Sequence, residues 1–154
     1  MSKILKTKNE SYLVCVDESH EFLDALDYAC INAEKNNAGL ILFYVIEHES
    51  FRHWQGVENI MQKEQENKAK ALLRKFKKEI DKKYKLKIKN IIKRGEKVEK
   101  LIEVFNDKKL KISMIILGLS LHEPDTNKII GSLTGNSRRK LSLPITIVPG
   151  KVLE

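Results

Sequence analysis

Apolar residues follow two different periods along this chain. Short runs rich in β-branched side chains alternate with longer stretches in which apolar residues recur every three or four positions. The first run, Tyr12-Leu-Val-Cys-Val16, is bounded by Lys8-Asn-Glu-Ser11 and Asp17-Glu-Ser19 and predicts a buried strand. Ser19 then suits a helix N-cap, with Glu18 and Glu21 near the positive end of the helix dipole. Phe22, Leu23, Leu26, Ala29, Cys30 and Ala33 mark the apolar stripe of that helix, and Asn36-Asn-Ala-Gly39 ends it. Leu40–Ile46 is a second buried strand, and Glu47–Gly56 predicts a loop. A long helix is expected from Val57 to Tyr84, with Ile60, Met61, Ala69, Leu72, Leu73, Phe76 and Ile80 on one face and lysines opposite.

The same alternation continues to the end of the chain. Leu86–Ile92 predicts a strand near a sheet edge, Gly95 a turn, and Val98, Leu101, Ile102 and Phe105 a short helix. Ile112–Leu117 is a strand ending at Gly118, followed by a loop with Pro124 and a fourth helix over Ser132–Leu141. Pro144 opens the last strand, Ile145–Val148, and Pro149-Gly150 closes it. Strands alternating with helices imply an α/β domain, a five-stranded parallel sheet sandwiched by four helices, joined by right-handed crossovers. With 154 residues and no linker or repeat, a single domain over residues 9–150 is expected. Ligands of such sheets bind beyond the carboxyl ends of the strands, where the strand order reverses. Candidate chemistry therefore belongs just after the first, second and fourth strands.

Composition narrows the class. The longest apolar run is the seven residues Leu40–Ile46, well short of a membrane span, and the N-terminus has no apolar segment of the signal-peptide kind. Cys15 falls in a strand and Cys30 on an apolar helix face, so both read as reduced core residues. A cytoplasmic location with no membrane contact is the expectation. The formal charge of +8 is unevenly placed: residues 68–94 hold thirteen Lys and Arg against Glu79 and Asp81, leaving the rest of the chain slightly acidic. Such a face attracts polyanions in general. Yet Lys outnumbers Arg 24 to 5, few aromatics are interleaved, and no nucleic-acid-binding motif occurs. A solvated helix face is the favoured reading, and nucleic acid is not the expected partner.

The strand ends carry the remaining chemistry. Asp17 follows the first strand and could accept from a ribose hydroxyl. Gly118 follows the fourth strand, and Gly131-Ser-Leu-Thr134 opens the fourth helix, where free N–H groups, the dipole and two hydroxyls suit phosphate. The same residues also fit an ordinary turn and N-cap. Walker A, Gly-x-Gly-x-x-Gly and Gly-x-Ser-x-Gly patterns are absent, and His20, His48, His53 and His122 lack metal-ligand spacing. No nucleophile is paired with a base, so no catalytic residues and no metal site are assigned, and an enzyme is not expected.

The chain resembles the universal stress proteins from Tyr12 to Pro149. Cys15-Val-Asp17-Glu-Ser19 is similar to that family's first strand and its terminal aspartate, Phe43-Tyr-Val45-Ile-Glu47 to its second strand, and Arg94-Gly95-Glu96 to the glycine turn after its third. The nucleotide-binding branch carries Gly, two residues, Gly, nine residues, Gly, then Ser or Thr. Gly118, Gly131 and Ser132 fall in register with it, while Leu121 stands at the second glycine position. Pro144-Ile-Thr-Ile-Val148 matches the closing strand. The resemblance implies a Rossmann-like, adenine nucleotide alpha hydrolase-like fold and a stress-response module that binds ATP, ADP or AMP, with Mg²⁺ as counterion. By resemblance, Asp17 and Val45 would contact the nucleoside, Leu117 and Gly118 would lie along base and ribose, Leu121 would border the phosphate path, and Gly131, Ser132, Leu133 and Thr134 would hold the phosphates.

Leu121 departs from that pattern, and His122-Glu-Pro-Asp125 adds two carboxylates beside it. A side chain where glycine permits close backbone approach obstructs a phosphate. The alternative expectation is therefore a same-fold dimeric module that acts through an unidentified protein partner without ATP. Family resemblance also implies a homodimer through Ile145–Val148, a short β-branched edge strand between two prolines.

Overall fold

A computed structural model describes residues 9–47, 55–119, 131, 133, 135 and 143–150 of the chain. It contains strands β1 (Ser11–Cys15), β2 (Gly39–Ile46), β3 (Ile88–Arg94), β4 (Ile112–Leu119) and β5 (Ile145–Pro149). Helices α1 (His20–Lys35), α2 (Gln55–Lys83) and α3 (Lys97–Phe105) connect the first four, with a short 3₁₀ turn at Lys108–Leu110. Gly131 and Leu133 are also helical, where the fourth helix is expected, and the bounds of that helix lie outside the described residues.

All strand pairs are parallel, in the order β3-β2-β1-β4-β5. The order reverses between β1 and β4. Building β1-β2-β3 in one direction places α1 and α2 on one face, and crossing back to β4 places α3 on the other, as right-handed crossovers require. Two cores follow. Phe22, Leu26 and Cys30 of α1 and Leu73, Phe76 and Ile80 of α2 pack on Val14, Leu40 and Leu42. Leu101, Val104 and Phe105 of α3 pack with Leu133 on Leu13, Ile41 and Ile115 across the sheet. Successive strand residues feed opposite cores, so central β1, β2 and β4 are apolar apart from Ser11 and Ser113.

Local chemistry fixes the element ends. The Ser19 hydroxyl accepts from Phe22 N at 3.2 Å and caps α1. At the other end Asn37 takes φ 57°, while Ala38 N donates to Ala33 O and Asn37 N to Glu34 O. That paired return is a Schellman closure, with asparagine where glycine is commonest. The structure moves several expected boundaries. Leu86 and Lys87 precede β3, which starts at Ile88 because β2 pairs in register from Leu40↔Ile88 to Ile46↔Arg94. β4 does not stop at Leu117: Gly118 and Leu119 remain in the ladder opposite Val148 and Pro149. Gln55 and Gly56, expected in a loop, belong to α2. Both sheet edges, β3 and β5, are where the polar-interrupted and proline-flanked strands were expected.

Candidate functional site

The carboxyl ends of β1 and β2 open into a cleft of about 1010 Å³. Val16, Asp17, Glu18 and Ser19 line it from the β1 end, Tyr44, Val45, Ile46 and Glu47 from β2, and Gln65, Lys68, Ala69, Ala71, Leu72 and Lys75 from α2. Lys97, the first residue of α3, completes the lining.

Each wall has an identifiable cause. Val16 N donates to Phe43 O at 2.7 Å, carrying the β1 end alongside β2 before the chain turns into α1. Asp17 Oδ1 accepts from Ser19 N at 2.8 Å and from the Ser19 hydroxyl. One carboxylate oxygen is thereby tied to the residue that caps α1, which fixes the carboxylate at the strand end. Among the described residues no donor reaches Oδ2. Gly95, at φ 145°, donates to Ile46 O at 3.0 Å and turns the chain from β3 into α3; only glycine adopts that φ without strain. The Glu96 carboxylate then accepts from Val98 N at 3.1 Å and Glu99 N at 2.7 Å, capping α3 and placing Lys97 beside the β1 end. On the far side, Arg94 donates to Gln65 Oε1 at 2.9 Å and to Gln62 O at 3.1 Å. It pins the middle of α2 to the end of β3 and so sets the α2 wall.

Electrostatics in the cleft are mixed. Burial, followed by the nearby Glu18 and Glu47 carboxylates, raises the Tyr44 phenol above its ordinary range. Burial pushes the Cys15 thiol up to about 12; Asp17 adds to the rise and Lys97 opposes it. Cys15 is therefore a neutral thiol at physiological pH and a poor nucleophile.

The residues expected at the site are dispersed in role. Asp17 and Val45 line the cleft together. Val45 is 6% exposed and Leu117 3%, both packed in the α3-side core, so their backbones rather than side chains remain for a ligand. Gly118 is pressed against α1: a Cβ there would lie 3.1 Å from Glu21 O and 3.4 Å from Phe22 N. Its glycine serves close strand-to-helix approach. Gly131 is exposed, and among the described residues a Cβ on it would meet nothing within 4 Å. Leu133, 1% exposed, fills the α3-side core. Leu121, Ser132 and Thr134, like His48, His53 and His122, lie outside the described residues. Sequence reasoning passed over Lys68, Lys75 and Lys97. A lysine stripe opposite an apolar stripe reads as solvated, and only the packing of α2 against the β2 end reveals which lysines border a cleft.

A universal stress protein family model matches residues 9–149. The chain belongs to the universal stress protein family. Among solved structures it resembles the universal stress protein UspA from Lactobacillus plantarum, at 16% identity and TM-score 0.69, covering 93% of this chain and 99% of that one. A universal stress protein in complex with cAMP is 21% identical, TM-score 0.64, with 92% and 98% covered. One from Archaeoglobus fulgidus in complex with dAMP is 15% identical, TM-score 0.59, with 90% and 97% covered. A search of curated protein sequences finds no match.

Proposed function

We propose that the chain is a regulatory, non-enzymatic module of the cytoplasm that binds an adenine nucleotide in the cleft at the β1 end. The observation that carries this reading is Asp17. It stands where the strand order reverses, held through Oδ1 by Ser19, and among the described residues Oδ2 has no donor and could accept from a sugar hydroxyl. Family membership supports it, as do neighbours whose structures hold cAMP and dAMP. Among the described residues no three His, Cys, Asp or Glu side chains group to hold a metal. A Mg²⁺ arriving with ATP would then be held chiefly by phosphate oxygens and water. Calorimetric titration of the purified chain with ATP, ADP, AMP and cAMP tests the reading. Binding that weakens in Asp17→Asn is the expected result, and no binding of any of them would end it.

A second reading has its own support. Gly118 has an account that needs no nucleotide, its packing on α1. On β5, Ile147 is 39% exposed on an edge strand. Under this reading the chain forms a homodimer through Ile145–Val148 and acts through a protein partner. Pro144 O accepts from Ile115 N, so by strand alternation the Ile147 amide faces the free edge of β5. Ile147→Pro should shift the protein toward monomer by light scattering, because it removes an edge donor, and a monomeric wild type would dismiss the dimer.

A further inference from the structure

We propose that Lys68, Lys75 and Lys97 form a side-chain subsite for the phosphate chain of a nucleoside di- or triphosphate, an inference that rests on the nucleotide reading of the cleft. These three lysines line the same cleft as Asp17. The cleft also holds Asp17, Glu18 and Glu47, yet among the described residues none of the three ammonium groups lies within 4.0 Å of a carboxylate.

The charges are segregated. All three acids belong to the strand ends, whereas the lysines belong to α2 and to the start of α3. Lys68 and Lys75 are seven residues apart on α2, so they share a helix face about 10 Å apart along the axis. Leu73 and Phe76, buried against the sheet, fix that face relative to it. Ala71 and Leu72 line the cleft between the two lysines, and the small Ala71 leaves room above the strand ends. Lys97 is set opposite by the Gly95 turn and the Glu96 cap.

A sugar hydroxyl at Asp17 and a phosphate chain running along the lysines match this division of charge. An uncharged nucleoside uses only the first half, and a longer phosphate chain engages more of the second. Among the described lining residues, the groups that would meet the anion are these ammonium point charges.

Titration calorimetry with adenosine, AMP, ADP, ATP and inorganic triphosphate tests the subsite. Affinity should rise along the nucleotide series. Lys68→Ala with Lys75→Ala should weaken ATP by about tenfold or more, as expected for lost bonds to charged phosphate, and leave adenosine unchanged. Lys78→Ala with Lys82→Ala removes equal charge from exposed positions of α2 outside the cleft and should leave ATP binding intact. The subsite is overturned if the first pair binds ATP like wild type, or if the second pair weakens it equally. Failure of adenosine and all nucleotides, together with triphosphate binding that needs Lys68 and Lys75, would overturn the nucleotide reading and uphold the lysine anion site. Failure of every probe overturns both.

Discussion

The carboxyl ends of β1 and β4 are neighbours in the sheet, yet they are finished in opposite ways. After β1 the chain presents a carboxylate, holds one of its oxygens with Ser19 and uses Ser19 to cap α1, leaving Asp17 on an open cleft. At the end of β4, Gly118 stays in the strand and lies under the first turn of α1, too close for a larger residue to fit freely. The first end is polar and free toward a ligand, while the second is occupied by the protein's own helix. A glycine in register with a nucleotide motif can thus be explained by packing alone, whereas among the described residues the aspartate has no structural task that uses both of its oxygens.

Phe22 joins the two ends, and removing it should have the largest effect. Its amide meets the Ser19 cap, its backbone lies over Gly118, and its ring packs edge-on against Phe76 with centroids 5.2 Å apart. Phe22→Ala should destabilise by about 3–5 kcal/mol in urea unfolding. A cost under about 1 kcal/mol would mean α1 is anchored elsewhere. Gly118→Val comes next, at about 1–3 kcal/mol, because the added carbons must displace the α1 backbone. If the valine variant kept full stability and lost only nucleotide binding, the packing account of Gly118 would be wrong.

Ser19→Ala should cost about 1 kcal/mol for the lost cap, and it also removes the hydroxyl bond to Asp17, leaving the carboxylate held by the residue 19 amide alone. Its diagnostic feature is a second effect, weaker nucleotide binding, which Gly118→Val should not share once corrected for folding. The smallest effect belongs to Gly131. In a helical position where no described residue comes within 4 Å of an added Cβ, Gly131→Ala should be neutral or stabilise by up to about 1 kcal/mol in thermal melts. A loss of stability there would point to contacts that packing around Gly131 does not account for.

Much of the fold was legible because burial writes a period into the sequence. The apolar runs at 40–46 and 112–117 and the α1 stripe follow directly from which face meets the sheet, and Ser19 was readable as a cap from local chemistry alone. What the sequence hid depends on partners distant along the chain. β4 extends past Gly118 because Val148 and Pro149 lie alongside, and β3 is displaced because β2 dictates its register. The site divides in the same manner. Asp17 was found from its place after a strand. Lys68, Lys75 and Lys97 were hidden among many similar lysines, since exposure on a helix and exposure in a cleft look identical until α2 is docked, here by Arg94 on Gln65.

The most direct test of the central claim is an amide NMR titration of isotope-labelled protein with ATP. The account predicts saturable shifts concentrated at Asp17–Ser19, Val45 and Lys97, and their loss in Asp17→Asn. Shifts confined to residues away from the β1 end, or a spectrum unchanged by ATP, would contradict it.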